Sequence, residues 1–446
     1  MTFNVNGGTT VKAQSVSSGA KASKPANPTK AGHAFKGWYS DKSLTKAYDF
    51  NSAVKSNLTL YAKWEAKSQT YAILYKDGLL SLQVGSDTDP SHGKVLGKWE
   101  WNGSRPWYDK RVRVKSVIVR DEIVVSGVYC LFGDLPNCKS MDLSKLDVSH
   151  VSRFYGIFSS AFDFSNSSVE SLDLSGWDVS GASDLSLMFT YCSSLRSLDL
   201  SGWNLSGVAD LSSVLSGCSS LQSLDLSGWD VSSAKHLSSM FGDCHSLQSL
   251  DLSGWDISNA TDLSGMFSGC WSLVSLDLSG WDVSNATDLS SMFGDCHSLQ
   301  SLDVSGWDVS NATDLSSMFE DCHSLQSLDV SGWDISNATD LSSMFEDCSS
   351  LRSLDLSGWD LSGVADLSSV FSGCSSLQSL DLSSWDVSNV LRFNSVFSGC
   401  SGLQSLGLSG WDMSSATDLR AVFSDCSSLA TLDISRWDVS NATDLS

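Results

Sequence analysis

Only five prolines occur in the 446 residues, at positions 25, 28, 90, 106 and 136. A sheet ladder that uses every backbone N–H has no place for proline, so everything after Pro136 is open to regular strand pairing. Long apolar runs are also missing. No segment approaches the roughly 18 residues of a membrane-spanning helix, and residues 1–8 have neither the basic nor the apolar region of a signal peptide. Basic side chains are scarce where the chain is longest: residues 141–446 hold eight Lys and Arg against 40 Asp and Glu, a net −32 within an overall −23. Nucleic-acid binding needs clustered cations, so this stretch is excluded as a polyanion ligand. Nor does any G-x-S-x-G, H-E-x-x-H or phosphate loop occur. The reading is of a non-enzyme with no cofactor and no metal.

What the chain does have is a clock. Ten cysteines from Cys192 to Cys426 and eleven tryptophans from Trp177 to Trp437 each recur every 26 residues. Such a fixed period means a repeat array. In the unit from Ser298 to His323, Leu299-x-x-Leu302-x-Val304-x-x-Trp307 fits the leucine-rich-repeat frame, with Trp at the usual Asn or Cys position. Alternation at residues 302–304 predicts a short strand with one face inward. Ala312, Leu315, Met318, Phe319 and Cys322 then fall on one face of a helix, with Asn311 as its N-cap and Asp314 completing a capping-box-like start. The expected fold class is therefore an α/β repeat: a leucine-rich-repeat solenoid with a parallel β-sheet on one face and short helices on the other. Units of this kind must stack to bury their apolar sides, and eleven strands would span roughly 50 Å.

Three regions are expected. Residues 136–446 form the array. Cys138-x-x-Met141-x-Leu143 and Val114-x-x-Val117-x-Val119 continue the frame backwards, with about five extra residues after Phe158 delaying the next coil. Residues 70–135, rich in Trp99, Trp101, Trp107 and Tyr108, cap the first coil. Residues 1–69 carry ten Lys against three acids, and their alternating patterns with an Asn6-Gly7-Gly8 turn predict a small β-rich module. The sequence stops at Leu445-Ser446 inside a unit. This suggests a longer chain truncated at both ends, whose last coil, residues 427–446, frays.

The units, with their Leu-Ser-Ser-Met-Phe-x-Asp-Cys and Leu-Asp-Leu-Ser-Gly-Trp-Asp-Val-Ser segments, resemble the BspA-like leucine-rich-repeat surface proteins. So does the lead-in, with Tyr71-Ala-Ile-Leu-Tyr-Lys-Asp-Gly, Trp107-Tyr-Asp and Val114-Lys-Ser-Val-Ile-Val-Arg-Asp-Glu-Ile. Trp stands where many relatives would have Phe, and Leu391-Arg392-Phe393 replaces the usual Thr-Asp-Leu. Residues 2–64 resemble the internalin-type B repeat, through Thr2-Phe-Asn-Val-Asn-Gly-Gly, the Gly37-Trp38-Tyr39 region and Leu58-Thr-Leu-Tyr-Ala-Lys-Trp64. That resemblance implies a β-grasp-like module. Both imply export, display at the cell surface, and a role in adhesion or protein and glycan binding.

Stacking turns each repeated residue into a column with more than one reading. The cysteines are expected to be reduced packing residues, disulfides between adjacent coils being the alternative. The tryptophans point inward. Asp251, Asp277, Asp303, Asp329 and Asp355 belong to an outward column that Gly407 alone interrupts. They read as serine-buffered, solvated acids on the concave sheet, or as contacts for a cationic protein or Ca²⁺. The acids at Asp262, Asp288, Asp314 and Asp340 are assigned to helix N-termini. Trp271 breaks phase and is expected to be exposed; His245, His297 and His323 share the position after Cys. The Asp column and Trp271 are the candidate partner-binding residues. The expected partner of this monomer is a protein or glycan on a host or neighbouring cell, with a passive surface spacer as the alternative.

Overall fold

A computed structural model of the chain describes residues 1–30, 33–66, 69–159 and 168–445. The delay expected after Phe158 lies outside these. Two compact units emerge, Met1–Thr70 with Val84–Ser86, and Tyr71–Gln83 with Asp87–Ser446.

The first unit is built on β1 (Thr2–Asn4), β2 (His33–Tyr39) and β3 (Thr59–Ala66). β3 is central, parallel to β1 and antiparallel to β2, with a bulge between Phe35 and Gly37. Alternation along β3 sends Leu60 and Ala62 into a core closed by Trp38. Phe3 and Phe35 meet the Trp38 ring edge-on at 4.9 and 5.4 Å. The expected turn forms, with Gly8 N–H donating to the Val5 carbonyl at 2.9 Å. Any Cβ at Gly8 would stand 2.4 Å from the Trp64 ring, so only glycine fits there.

The second unit opens with a five-stranded sheet. Its members are β4 (Thr70–Tyr75), β5 (Leu79–Val84), β6 (Val95–Glu100), β7 (Ser116–Val119) and β9 (Ser140–Asp142), with β8 (Ile123–Val124) lying outside it. The order is β6-β4-β5-β7-β9. β7 pairs in parallel with both β5 and β9, so the sheet leads straight into the repeats. Trp101 and Trp107 are buried in the same apolar cluster as the repeat interior. In the repeats, parallel strand pairs at an offset of 26 residues form at three places among the described residues: Ser171–Asp173 beside Ser197–Asp199, Ser275–Leu276 beside Ser301–Leu302, and Ser379–Asp381 beside Ser405–Gly407. A second line of parallel bridges runs along the coils from Arg153 to Asp444.

That second line replaces the expected helices. Among the described residues there is no α-helix, only two short 3₁₀ turns, at Pro90–His92 and Tyr108–Arg113. The predicted buried face is correct: Ala312, Leu315, Met318, Phe319 and Cys322 are all fully buried. The backbone that buries them differs. Ser317 and Asp321 have φ of +53° and +57°, and their counterparts in other coils do the same. Left-handed residues every fourth position interrupt the bonding from residue i to i−4 that defines a helix. Leu315, Ser317, Phe319 and Asp321 instead donate to Asp340, Ser342, Met344 and Glu346 of the next coil at 2.8–3.1 Å, while Glu320 and Cys322 close turns onto Ser317 and Phe319. These backbone donors are thereby satisfied without a helix.

The predicted caps are corrected with it. The Asn311 side-chain amide donates to the Ser284 carbonyl of the preceding coil at 2.7 Å, and Asn259, Asn285, Asn337, Asn389 and Asn441 do likewise. Asparagine here joins coils rather than capping a helix.

Candidate functional site

Three columns fill the interior. The Trp307 and Trp333 rings stack at 6.4 Å and 3°, and the Trp333 indole N–H donates to the Val304 carbonyl of the preceding coil at 3.0 Å. Phe319 and Phe345 stack at 5.8 Å. All twelve cysteines are free thiols. The Cys322 Sγ–H donates to the Phe293 carbonyl at 3.2 Å, a bond repeated from Cys192 to Cys426. Burial pushes the Cys296 thiol up to about 12, so these are structural, unreactive sulfurs.

On the strand side, the candidate acids are exposed and carry a fixed local geometry. The Asp251 carboxylate accepts from the Ser253 N–H at 3.1 Å and from its hydroxyl at 2.7 Å; Asp277, Asp303, Asp329 and Asp355 do the same with Ser279, Ser305, Ser331 and Ser357. The serine hydroxyl first and the serine N–H second hold Asp251, Asp277, Asp329 and Asp355 below the usual carboxylate range. A shallow depression of about 440 Å³ lies between Asp225 and Asp251.

The same Asp-x-Ser turn occurs twice more in most coils, as at Asp308–Ser310 and Asp314–Ser316. The acids at Asp262, Asp288, Asp314 and Asp340 are therefore turn residues. The helix N-termini assigned to them do not exist. The signal was in the sequence, where Asp-x-Ser recurs three times in most of the 26-residue units, and it supplies the turn chemistry of Asx motifs.

On the turn side, the structure brings together residues that sequence reading kept apart. His245, Trp271, His297 and His323 are successive rungs of one ladder. Trp271 stacks on His245 at 3.8 Å and 12° and faces His297 at 5.8 Å; His297 and His323 stack at 5.0 Å. Trp271 is exposed as expected, at 45%. Its ring lies between the two imidazoles, close against His245 and looser against His297. Each histidine lies beside an acid of its own coil, with Nε2 to Oδ1 distances of 3.6 Å to Asp243, 3.4 Å to Asp295 and 3.6 Å to Asp321. Those acids occupy the left-handed position, where other coils use Gly217, Gly269, Gly373 and Gly399; Asp tolerates this backbone better than most residues. Burial first, and the neighbouring Asp295 second, push Asp321 above its usual range.

The irregular segment Leu391-Arg392-Phe393 is accounted for structurally. Arg392 pairs with Asp366 at 2.5 Å and Phe393 is fully buried. Among the described residues no group of His, Cys, Asp or Glu is arranged to hold a metal ion, and no helix is long and apolar enough to cross a membrane.

Comparison with known proteins adds the following. Residues 1–63 match the Listeria-Bacteroides repeat domain. A protein of Evansella cellulosilytica bearing the name of a Gly-rich membrane protein is 46% identical over 110 residues, which is 24% of this chain and 13% of that one. A second from the same organism, named for a membrane protein, is 42% identical over 71 residues, 16% of this chain and 11% of its own length. The chain thus spans only a small part of these relatives. A leucine-rich repeat protein from Eubacterium ventriosum aligns over 83% of this chain and 90% of its own, at 12% identity and a TM-score of 0.34. Five overlapping stretches between residues 130 and 446, well over half of the chain, match one further family model. The chain belongs to the family described as "Mycoplasma protein of unknown function, DUF285", whose repeats are of the BspA-like kind, with a Listeria-Bacteroides repeat domain at its N-terminus.

Proposed function

We propose that this chain is a non-catalytic, leucine-rich-repeat-type solenoid displayed at the cell surface, which holds a protein or glycan of another cell through the side chains its coils expose. One observation carries the reading: the strand side presents Asp251, Asp277, Asp303, Asp329 and Asp355 in the same local geometry coil after coil. A repeated exposed row is what an extended repeat surface offers to a large partner. The test is a surface-plasmon screen of the full chain against matrix proteins and glycan arrays. A partner whose affinity falls at least about tenfold in the Asp→Asn variant of all five positions supports the reading; a partner insensitive to it removes the row.

A second reading, that of a passive spacer, is favoured by the serine bonds themselves. Carboxylates already satisfied by Ser253 and its counterparts have less to offer a ligand. A screen with no partner at all would leave the spacer standing.

A further inference from the structure

A buried donor or acceptor left without a partner costs stability, so proteins keep few of them. The N-terminal module keeps two on facing residues. Trp38 is only 3% exposed, and its indole N–H has no hydrogen-bond partner among the described residues. The phenol oxygen of half-buried Tyr48 has none either, and both atoms are shut off from solvent. Trp64, in the same module, instead donates to the Val5 carbonyl at 2.8 Å. The Tyr48 N–H donates to the Trp38 carbonyl at 2.8 Å, which sets the two residues opposite each other. The loop between them is pinned by Asp41, whose carboxylate accepts from the Thr45 and Lys46 N–H groups at 3.2 and 2.8 Å. Trp38 and Tyr48 both line a recess of about 500 Å³, a size that suits a small ligand.

The other groups around the recess narrow the ligand's chemistry. Phe35 and Phe50 stand edge-on to Trp38 and Tyr48 at 5.4 and 5.0 Å, so aromatic rings make up much of its wall. Such a wall suits a pyranose, whose C–H face is apolar and whose rim carries oxygens. An indole N–H can only donate, so the ligand must bring an acceptor. Asp49, the one acid among the described residues that line the recess, accepts from the Asn51 N–H at 2.8 Å and has lone pairs left for a sugar hydroxyl. Of the two lysines there, Lys36 is paired with Glu65 at 2.6 Å, while among the described residues no carboxylate pairs with Lys24. The excess of ten Lys over three acids in residues 1–69 draws an anion towards it. We propose that this recess binds a carboxylate-bearing sugar at the end of an acidic glycan, its oxygens pairing with Trp38 and Tyr48 and its carboxylate with Lys24. As neither orphaned atom meets solvent, binding includes a rotation of the half-buried Tyr48 ring. The site belongs to the other compact unit from the coil acids and is independent of them.

The test is titration of the full chain, carrying ¹⁵N-labelled tryptophan, with methyl β-glucuronide and with methyl β-glucoside, whose rings differ only at the carboxylate. The indole N–H resonances are read, and Trp38→Phe assigns the Trp38 signal. Glucuronide should move that signal with a Kd of roughly 1 mM, as suits a ligand so small, and glucoside should bind at least about fivefold more weakly. Tyr48→Phe, which removes only the hydroxyl, should weaken glucuronide at least about threefold. Lys24→Gln should bring the two sugars within about twofold of each other. Asp→Asn at all five strand-side positions should leave the glucuronide Kd unchanged, so this site and the row of coil acids fail or hold separately. A Trp38 signal that neither sugar moves would overturn the proposal. So would equal affinity for the two sugars, unchanged binding in Tyr48→Phe, or glucuronide shifts confined to the indoles of the array.

Discussion

Several coils carry aspartate on both the strand side and the turn side, and the two are chemically unlike. Asp329 sits in a turn whose serine supplies two donors and holds the acid below its usual range. Asp321 sits at a left-handed residue, faces an imidazole at 3.6 Å, and is pushed up by burial and by the acid of the preceding coil. A net charge counts the two alike. The local backbone decides which is held by serine donors and which faces an imidazole.

The largest expected effect breaks both faces at once by removing what lies beneath them. Phe319→Ala opens a gap in a fully buried ring column and should cost about 3–5 kcal/mol, read as a lowered urea midpoint. Because coils contact only their neighbours, protection from hydrogen exchange should fall most in the two adjoining coils.

Next come substitutions that separate the two kinds of aspartate. Asp314→Ala removes the acceptor of two serine bonds at 2.9 and 2.6 Å and should cost about 1 kcal/mol. At that position Ala should be tolerated better than Gly. The ranking inverts at Asp321, whose φ is +57°: Gly is expected to be within about 0.5 kcal/mol of wild type, and Ala about 1 kcal/mol worse than Gly. Thermal melts of the four variants decide this, and the same ranking at both sites would erase the distinction.

Acid titration sharpens it further. Strand-side acids with lowered folded pKa contribute stability that is present above the unfolded value and lost as pH falls through the folded one. Asp321 and Glu320, whose folded pKa is raised, work in the opposite sense, so their contribution improves as pH falls toward the unfolded value. Ser331→Ala should therefore bring acid unfolding to higher pH, and Asp321→Gly should flatten the gain on mild acidification, both followed by circular dichroism. Least dramatic is thiol labelling at pH 8. Cys426, the one cysteine of the repeat series that is only partly buried, should react first, and the fully buried ones only on unfolding.

Much of this was legible in the sequence. The 26-residue period, the inward Leu, Trp and Phe columns and the packing role of cysteine all followed from spacing. The helices did not, because a buried face at offsets of three and four residues is equally served by successive turns. The warning was Gly217, Gly269, Gly373 and Gly399 standing in the Asp321 column, glycines that mark a left-handed residue rather than a helix. The ring ladder was missed for a related reason. Trp271 reads as an intruder among tryptophans and as a rung only when set beside His245 and His297, residues of another type in the same column.

The contrast between the two faces is tested most directly by carbonyl-detected ¹³C NMR titration of the aspartate and glutamate side chains, with assignments from single Asp→Asn and Glu→Gln variants. Asp329 and Asp355 should titrate below the usual carboxylate range, and Asp321 and Glu320 above it. If all four titrate together, strand-side and turn-side acids are equivalent and the account fails.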